Sequence, residues 1–361
     1  MLKICVIGAG NGGQALAGYL SMKGYDVSLY NRSYWRIEPI INTGKIILEG
    51  EYSGEYEISL ATTDIKSAIK DREMILVVVP AFAHRDIAEK LAPYLEDGQI
   101  VVLNPGRTGG ALEFRKVLKE KGCKKKIFVA EAQTFIFASR CSNPGVVRIF
   151  RKKNAVPVSC LPAKDNSILQ KTLRRVMPEF EIVKNTVITS FNNIGAVFHP
   201  ATTILNVARI EFTFGKFEFY FEGISPSVAK VLESIDEERC NVMRAFKVEP
   251  LTAKQWLKYA YDVDGRDLYE AIHSNSGYRD ILAPTVLANR YILEDVPMSL
   301  VPISSFGKYF GVPTPTIDAT IHLVSVMMGE DYYSKGRTVK SLGLEGMTID
   351  DIIKYIEVGE E

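Results

Sequence analysis

The residues best suited to chemistry lie in the second half of the chain. His199, one of four histidines, falls in FNNIGAVFHPATTILNVARIE (191–211) among small and apolar residues. Wound as a helix, His199, Thr202, Thr203 and Asn206 share one side, with Ala201, Ile204, Leu205 and Ala208 on the other. Such a polar stripe suits the wall of a cleft, although a histidine in apolar surroundings is more often a satisfied core residue. Downstream, ANRYILEDVP (288–297) puts Arg290 and Asp295 at the end of a helical pattern. A carboxylate beside an imidazole orients the ring and stabilises its charged form, which suits the histidine to acid–base work. A guanidinium can fork onto a substrate carboxylate. Arg290 has a second use, an ion pair with Glu294 one helical turn on, and spacing leaves both readings open.

Two prolines govern how these groups are presented. Pro200 either begins a helix, making His199 its cap, or lies inside a longer one. At a free helix N-terminus the dipole disfavours a charged imidazole, and a nearby carboxylate would have to offset it. Pro297 biases Val296 toward extended backbone, so Asp295 is expected at a helix exit. Thr203, Asn206 and Tyr278 are further candidates for substrate contact. His84 reads as a surface or capping residue, His273 as a helix-end residue and His322 as structural.

The first half carries a different signal. VIGAGNGGQALAGYL supplies Gly8, Gly10 and Gly13 in G-x-G-x-x-G spacing, straight after a strand pattern and opening a helix, with Asn11 and Gly12 between them. Gly8 permits a tight turn, Gly10 lets a diphosphate approach the backbone, and Gly13 allows close helix–strand packing. The helix start then offers free N–H groups to phosphate. This is a dinucleotide-binding pattern. The next strand ends in Asn31-Arg32-Ser33, without the carboxylate that normally bonds the ribose of NAD. Arg32 can pair with a 2′-phosphate while Asn31 and Ser33 add hydrogen bonds, so NADP is the expected cofactor. NAD stays open, because Arg32 could instead only stack on adenine. Val79-Pro80 and Asn104-Pro105, at later strand ends, are expected on the nicotinamide side.

These groups need elements to hold them. Up to residue 185 short apolar runs alternate with helical patterns, and MILVVVP (74–80) and GQIVVLNP (98–105) are continuous enough for parallel strands buried on both faces. That alternation predicts a Rossmann-type, doubly wound α/β domain over 1–185. Over 186–361 the pattern is mostly helical, with helices expected at 190–210, 226–246, 252–261, 280–294 and 313–328 and a short one after Thr348. The aromatic stretch FTFGKFEFYFEG (212–223) reads as a small hairpin or an irregular connection serving packing. A net charge of +1 gives no electrostatic case for nucleic acid or an anionic membrane. The five cysteines contain no CxxC pair, so neither a zinc site nor a disulfide framework is indicated. Without a signal pattern, a cytoplasmic protein is expected.

The chain resembles the opine dehydrogenases. The resemblance rests on the glycine turn, LNPGRTGGALEF (103–114), HPATTILN (199–206), FYFEGISPSVAKVLESIDEER (219–239), NRYILEDVP (289–297) and GVPTPTIDA (311–319). It implies a helical second domain on the 6-phosphogluconate dehydrogenase-like plan. It also implies NAD(P)H-dependent reductive condensation of an α-keto acid with the amino group of an amino acid. His199 then takes the role of catalytic histidine, Asp295 that of its acidic partner and Arg290 that of the motif's arginine; no metal is called for. The Asn31-Arg32-Ser33 segment departs from members that use NAD. A simple NADP-dependent 2-keto acid or keto-sugar reductase of the same two-domain plan is the alternative, and a non-catalytic dinucleotide sensor a further one. Ketopantoate reductases and glycerol-3-phosphate dehydrogenases rely on a lysine in the helix opening the second domain, where this chain has FNNIGAVFHPA and no lysine. A homodimer is expected, since apolar helical second domains often bury a dimer face.

Overall fold

The computed structural model describes residues 2–359. These form two compact units: the chain up to Ser190 together with the chain from Lys354, and Phe191–Ile353 between them. A single break at 185/186 was expected; the division instead falls after the helix Thr186–Phe191 begins, and the C-terminal end returns to the first unit.

The first unit contains β1 (Lys3–Ile7), β2 (Asp26–Tyr30), β3 (Lys45–Gly50), β4 (Gly54–Glu57), β5 (Leu60–Thr62), β6 (Met74–Val77), β7 (Ile100–Leu103), β8 (Phe128–Ala132), β9 (Phe137–Asn143), β10 (Val146–Lys152), β11 (Val156–Leu161) and β12 (Phe180–Ile182). Eight of them make one sheet in the order β12-β11-β8-β7-β6-β1-β2-β5. All neighbours run parallel except β11 on β8. The apolar runs are buried because helices cover parallel strands, as with β6 and β7, where every residue is buried. From β1 the chain builds outward through β2 and β5, then returns to add β6, β7 and β8 on the other side. The reversal at β1/β6 opens a crevice at the strands' carboxyl ends, where such sheets take their ligands.

The glycine turn fills the end of β1 at that reversal. Gly8 has φ +106°, and a Cβ there would lie 2.4 Å from the Val78 carbonyl oxygen. A Cβ on Gly13 would sit 1.6 Å from the Gly8 oxygen, so only glycine lets the helix Asn11–Met22 pack this closely. Gly10 differs: nothing lies within 4 Å of its ideal Cβ position. Its missing side chain leaves an open cradle.

A second sheet, in the order β4-β3-β10-β9, was not expected. It covers the outer face of the same helix: a Cβ on Gly18 would meet Leu48 at 2.6 Å and Ile46 at 3.0 Å, both on β3. Enclosure from two sides explains why Gly13 through Leu20 are all buried.

The second unit is helical, as expected, in Ile194–Leu205, Pro226–Ala245, Ala253–Tyr261 and Pro315–Met328. Pro226 begins its helix at a position where no N–H is needed, behind the Ser225 cap. The expected helix at 280–294 is mostly absent. Residues 281–283 pair instead with the aromatic segment: Phe219 N–H bonds Ile281 O at 2.7 Å and Ala283 N–H bonds Phe217 O at 2.9 Å. Gly215, at φ +69°, permits this approach, its Cβ position lying 2.5 Å from the oxygens of both Ala283 and Pro284. The aromatic stretch is therefore an irregular connection with one antiparallel bridge. Helix resumes only at Arg290–Leu293 and continues through a π-turn, Val296–Leu300, into Val301–Phe310, a helix the periodicity did not suggest. No helix among the described residues is long and apolar enough to cross a membrane.

The two glycines give a paired prediction. Gly13→Ala should lower stability by about 1–3 kcal/mol, because a methyl group must displace backbone. Gly10→Ala should leave the melting temperature nearly unchanged yet weaken dinucleotide binding about tenfold or more, roughly 1.4 kcal/mol. Thermal melts with cofactor titrations on both variants check this; equal affinity of Gly10→Ala and the parent would contradict the cradle.

Candidate active site

Pro200 lies inside the helix Ile194–Leu205, so His199 is in the helix body and Asn193 holds the cap position. The dipole effect expected of a capping histidine fades within the first turn and does not govern this ring. The imidazole is partly accessible, at 18% of its side chain, and its Nδ1 lies 2.7 Å from the Asp295 carboxylate, which is 1% exposed.

Asp295 occupies a different setting from the expected helix exit. It has helical backbone angles, and Pro297 sits in the first turn of the segment that follows. Proline is tolerated there because first-turn N–H groups have no helical partner, so Val296 is wound into the π-turn instead of extended. Asn193 Nδ2 donates to Ser299 Oγ at 2.6 Å, tying the start of the histidine helix to this turn. Behind it, the fully buried Arg239 donates to Phe191 O at 2.9 Å and to Asn192 Oδ1 at 3.1 Å, fixing the approach to the helix.

Two tyrosines complete the surroundings of His199, and neither was singled out from the sequence. Tyr291 stacks on the imidazole, with centroids 4.1 Å apart and planes 20° from parallel. The Tyr220 hydroxyl lies 3.2 Å from Nε2. Tyr291 stands inside the arginine–aspartate motif and could have been noticed there. Tyr220 belongs to the aromatic stretch read only as packing.

Arg290 adopts the local ion pair that spacing allowed. Its Nε donates to Glu294, a buried carboxylate, while its own side chain is 58% exposed. The bond uses Nε, so the terminal amino groups of the fork are not consumed by it. Thr203 is buried and donates its hydroxyl to His199 O at 2.7 Å. Asn206 Nδ2 donates to Thr202 O and, at 2.8 Å, to Gly223 O, which closes the helix end. Tyr278 is buried and stacks on Tyr220 at 4.1 Å, one layer behind the imidazole. These three residues build the wall that carries His199. His84 is fully buried at the start of the helix His84–Leu91, not on the surface as expected. His273 lies against Tyr269 O at 2.9 Å and Phe221 O at 3.0 Å, joining its helix to the aromatic segment.

In the first unit Asn31 and Val79 lie against the glycine turn. Ala9 N–H donates to Asn31 Oδ1 at 2.9 Å, and Asn31 Nδ2 donates to Ser33 O at 2.9 Å, so Asn31 shapes the loop that presents Arg32. Arg32 is exposed and Ser33 half-buried. Asn11 is held from the second sheet: its Oδ1 accepts from Cys141 N–H at 3.0 Å. The ring of Phe135 lies 2.9 Å from the Cβ position of Gly12. Val79 lines the turn, its methyl 2.8 Å from the Cβ position of Gly8, and Pro80 beside it is exposed. Asn104 and Pro105 are buried, and Asn104 Oδ1 meets no hydrogen-bond donor among the described residues. An open cradle at Gly10 and an unsatisfied acceptor at Asn104 are what a dinucleotide's phosphates and a hydrogen-bonding head group require. The residues present fit that group.

Comparison with known proteins agrees with this architecture. Residues 182–328 match the family model described as NAD/NADP octopine/nopaline dehydrogenase, alpha-helical domain. Residues 3–129 match the N-terminus of NAD-dependent glycerol-3-phosphate dehydrogenase. Opine dehydrogenase of Arthrobacter sp. (strain 1C) is 40% identical over 353 residues, covering 98% of each chain. Protein ocs of Agrobacterium tumefaciens (strain Ach5) is 26% identical, covering 99% of each. In fold, the chain is similar to octopine dehydrogenase in complex with NADH and agmatine, with a TM-score of 0.82 at 23% identity over 100% of both chains. It is also similar to NADP+-bound yersinopine dehydrogenase, with a TM-score of 0.76 at 17% identity over 99% of this chain and 98% of that one. With a Rossmann-type unit, an octopine dehydrogenase-type helical unit and near full-length identity at this level, the chain belongs to the opine dehydrogenase family, NAD(P)-dependent oxidoreductases acting on CH–NH bonds.

Proposed function

We propose that this enzyme condenses an α-keto acid with the amino group of an amino acid and reduces the resulting imine, with His199 as its acid–base group and NADPH as its preferred reductant. The observation that carries this reading is the 2.7 Å contact of His199 Nδ1 with buried Asp295. A carboxylate there accepts from Nδ1–H, which leaves Nε2 as the nitrogen that exchanges protons with substrate. Histidine, with an ordinary value of about 6.5, changes charge readily near neutral pH. His199 takes a proton from the substrate ammonium group, freeing the amine that attacks the keto carbon; a proton shift from nitrogen to oxygen in the adduct gives the carbinolamine. His199 returns its proton to the hydroxyl, which leaves as water and yields the protonated imine. A reduced nicotinamide, held by the unit that carries the Gly10 cradle, would supply the hydride that turns the imine into a secondary amine dicarboxylate. Asp295 holds the ring and stabilises the imidazolium between the two transfers. The face of Tyr291 adds to that stabilisation, as an aromatic ring does for a cation.

Arg290 is the proposed holder of the keto-acid carboxylate. Glu294 fixes the guanidinium through Nε, and the exposed remainder of the fork is shaped for a bidentate partner. Arg32, exposed on the loop after β2, is the proposed partner of the 2′-phosphate of NADPH.

The reaction is tested by NADPH oxidation with pyruvate, glyoxylate or oxaloacetate, each with and without a panel of amino acids. Turnover should require the amine; turnover indifferent to it would favour simple keto-acid reduction and overturn the proposal. Arg290→Ala should raise KM for the keto acid by about 10- to 100-fold with a smaller change in kcat, the pattern of lost substrate binding. An unaltered KM would leave Arg290 only its local ion pair. Arg32→Asp should move the ratio of kcat/KM values from NADPH toward NADH, and an unchanged ratio would remove Arg32 from cofactor selection.

A further inference from the structure

The acid–base nitrogen of His199 already has a partner. With Asp295 accepting from Nδ1–H, a neutral ring has its lone pair on Nε2, and the Tyr220 hydroxyl lies 3.2 Å away. That is the long end of the normal range, close enough to bond and loose enough to be displaced. The phenol is itself fixed. Tyr278 stacks on one face at 4.1 Å and 13°, Phe219 meets it edge-on at 5.2 Å, and Phe198 does so at 6.4 Å. Packing would be served equally well by phenylalanine, so the hydroxyl needs a separate explanation.

We infer that Tyr220 is a positioning residue for His199, holding Nε2 by a hydrogen bond that survives both charge states of the imidazole. This rests on the reading of His199 as the acid–base group. When the ring is neutral, Tyr220 Oη–H donates to the bare Nε2; when it is protonated, Nε2–H donates to Oη. Only a group that both donates and accepts serves both states, and the ring can take up and give back a proton without losing its orientation. Burial, with Tyr291, Tyr261 and Asp295 around it, pushes the phenol well above its ordinary value, so it remains a hydroxyl and does not compete for the proton. Tyr220 thus neither gains nor loses a proton in the reaction: substrate displaces it from Nε2 for each transfer, and the bond re-forms in whichever charge state the transfer leaves, while the flanking contacts hold the ring. Asp295 on one edge, Tyr220 on the other and Tyr291 on the face give the imidazole a single orientation.

The test uses the full-length enzyme with 15N-labelled histidine, in which four imidazoles must be assigned, one of them through His199→Ala. In the parent, the Nε2 resonance of neutral His199 should report a lone pair that accepts a hydrogen bond; a resonance typical of a bare lone pair would overturn the inference without any variant. In Tyr220→Phe the Nε2 resonance should move while that of Nδ1 stays. The variant's kcat should fall about 10- to 100-fold with KM values for cofactor and keto acid within about threefold, as for loss of one hydrogen bond to a group that becomes charged. Parent-like kcat in Tyr220→Phe, or a lower kcat with an unmoved Nε2 resonance, would also overturn it. Undiminished turnover in His199→Ala is a different outcome: it would remove the acid–base role itself, while the Tyr220 bond would still be visible in the parent spectrum.

Discussion

The second unit is organised by a carboxylate that water does not reach. Asp295 is fully buried, where such a group is costly unless donors meet it. His199 Nδ1 meets that demand from a helix 96 positions earlier in the chain. The two stretches must therefore be held in register, and the Asn193–Ser299 bond, the buried Arg239 and the helical winding at Pro297 all serve that alignment. Removing the imidazole would take away the Nδ1 contact of that carboxylate. The same contact that suits His199 to proton transfer is thus part of what holds these elements together, and a loss of activity on mutation has to be read beside a measurement of stability.

The rest of the His199 environment is aromatic and arranged in layers. Tyr291 covers the ring face and Phe219 lies against Tyr291 at 5.0 Å, while Tyr220 at the ring edge is backed by Tyr278. Aromatic side chains have few torsions to immobilise and bury large areas, so they build a rigid wall at modest entropic cost. Rigidity is what the proposed proton transfer requires, since such a step depends steeply on the separation and angle of the groups involved. The nucleotide unit uses the opposite device. It makes room by omitting a side chain at Gly10, and the loop after β2 leaves Arg32 exposed.

Much of this was legible in the sequence, for identifiable reasons. The central strands β6 and β7 are continuous apolar runs, the pattern of parallel strands buried on both faces. The glycine turn was legible because its spacing is distinctive, with Gly8 and Gly13 required by close backbone and Gly10 leaving open space. β3 and β10 escaped notice because they carry charged residues and are partly exposed, as in KIILEG and VVRIFRK, and the pairing that joins them to each other spans about a hundred positions of chain. Helix was expected at 280–294 from spacing of apolar residues, yet Pro284 and the pairing of 281–283 with the aromatic segment prevail there. Pro297 misled in the other direction, since its effect on Val296 depends on whether it falls in a first turn. His199, Asp295 and Arg290 drew notice because each has an unusual residue type in its context. Tyr220 was not, because a tyrosine among phenylalanines looks like packing until its hydroxyl is placed.

The central claim is that His199 and Asp295 act as one unit, and a kinetic double-mutant cycle tests it most directly. His199→Ala, Asp295→Ala and the double variant would be compared in kcat/KM for the reductive condensation, with thermal melts to confirm folding. Loss of His199 should lower the rate by about 10²- to 10⁴-fold. Once it is gone, removing Asp295 should cost little more, because a carboxylate that works through an imidazole has nothing left to act on. Losses that multiply across the cycle, with both single variants folded, would contradict the account.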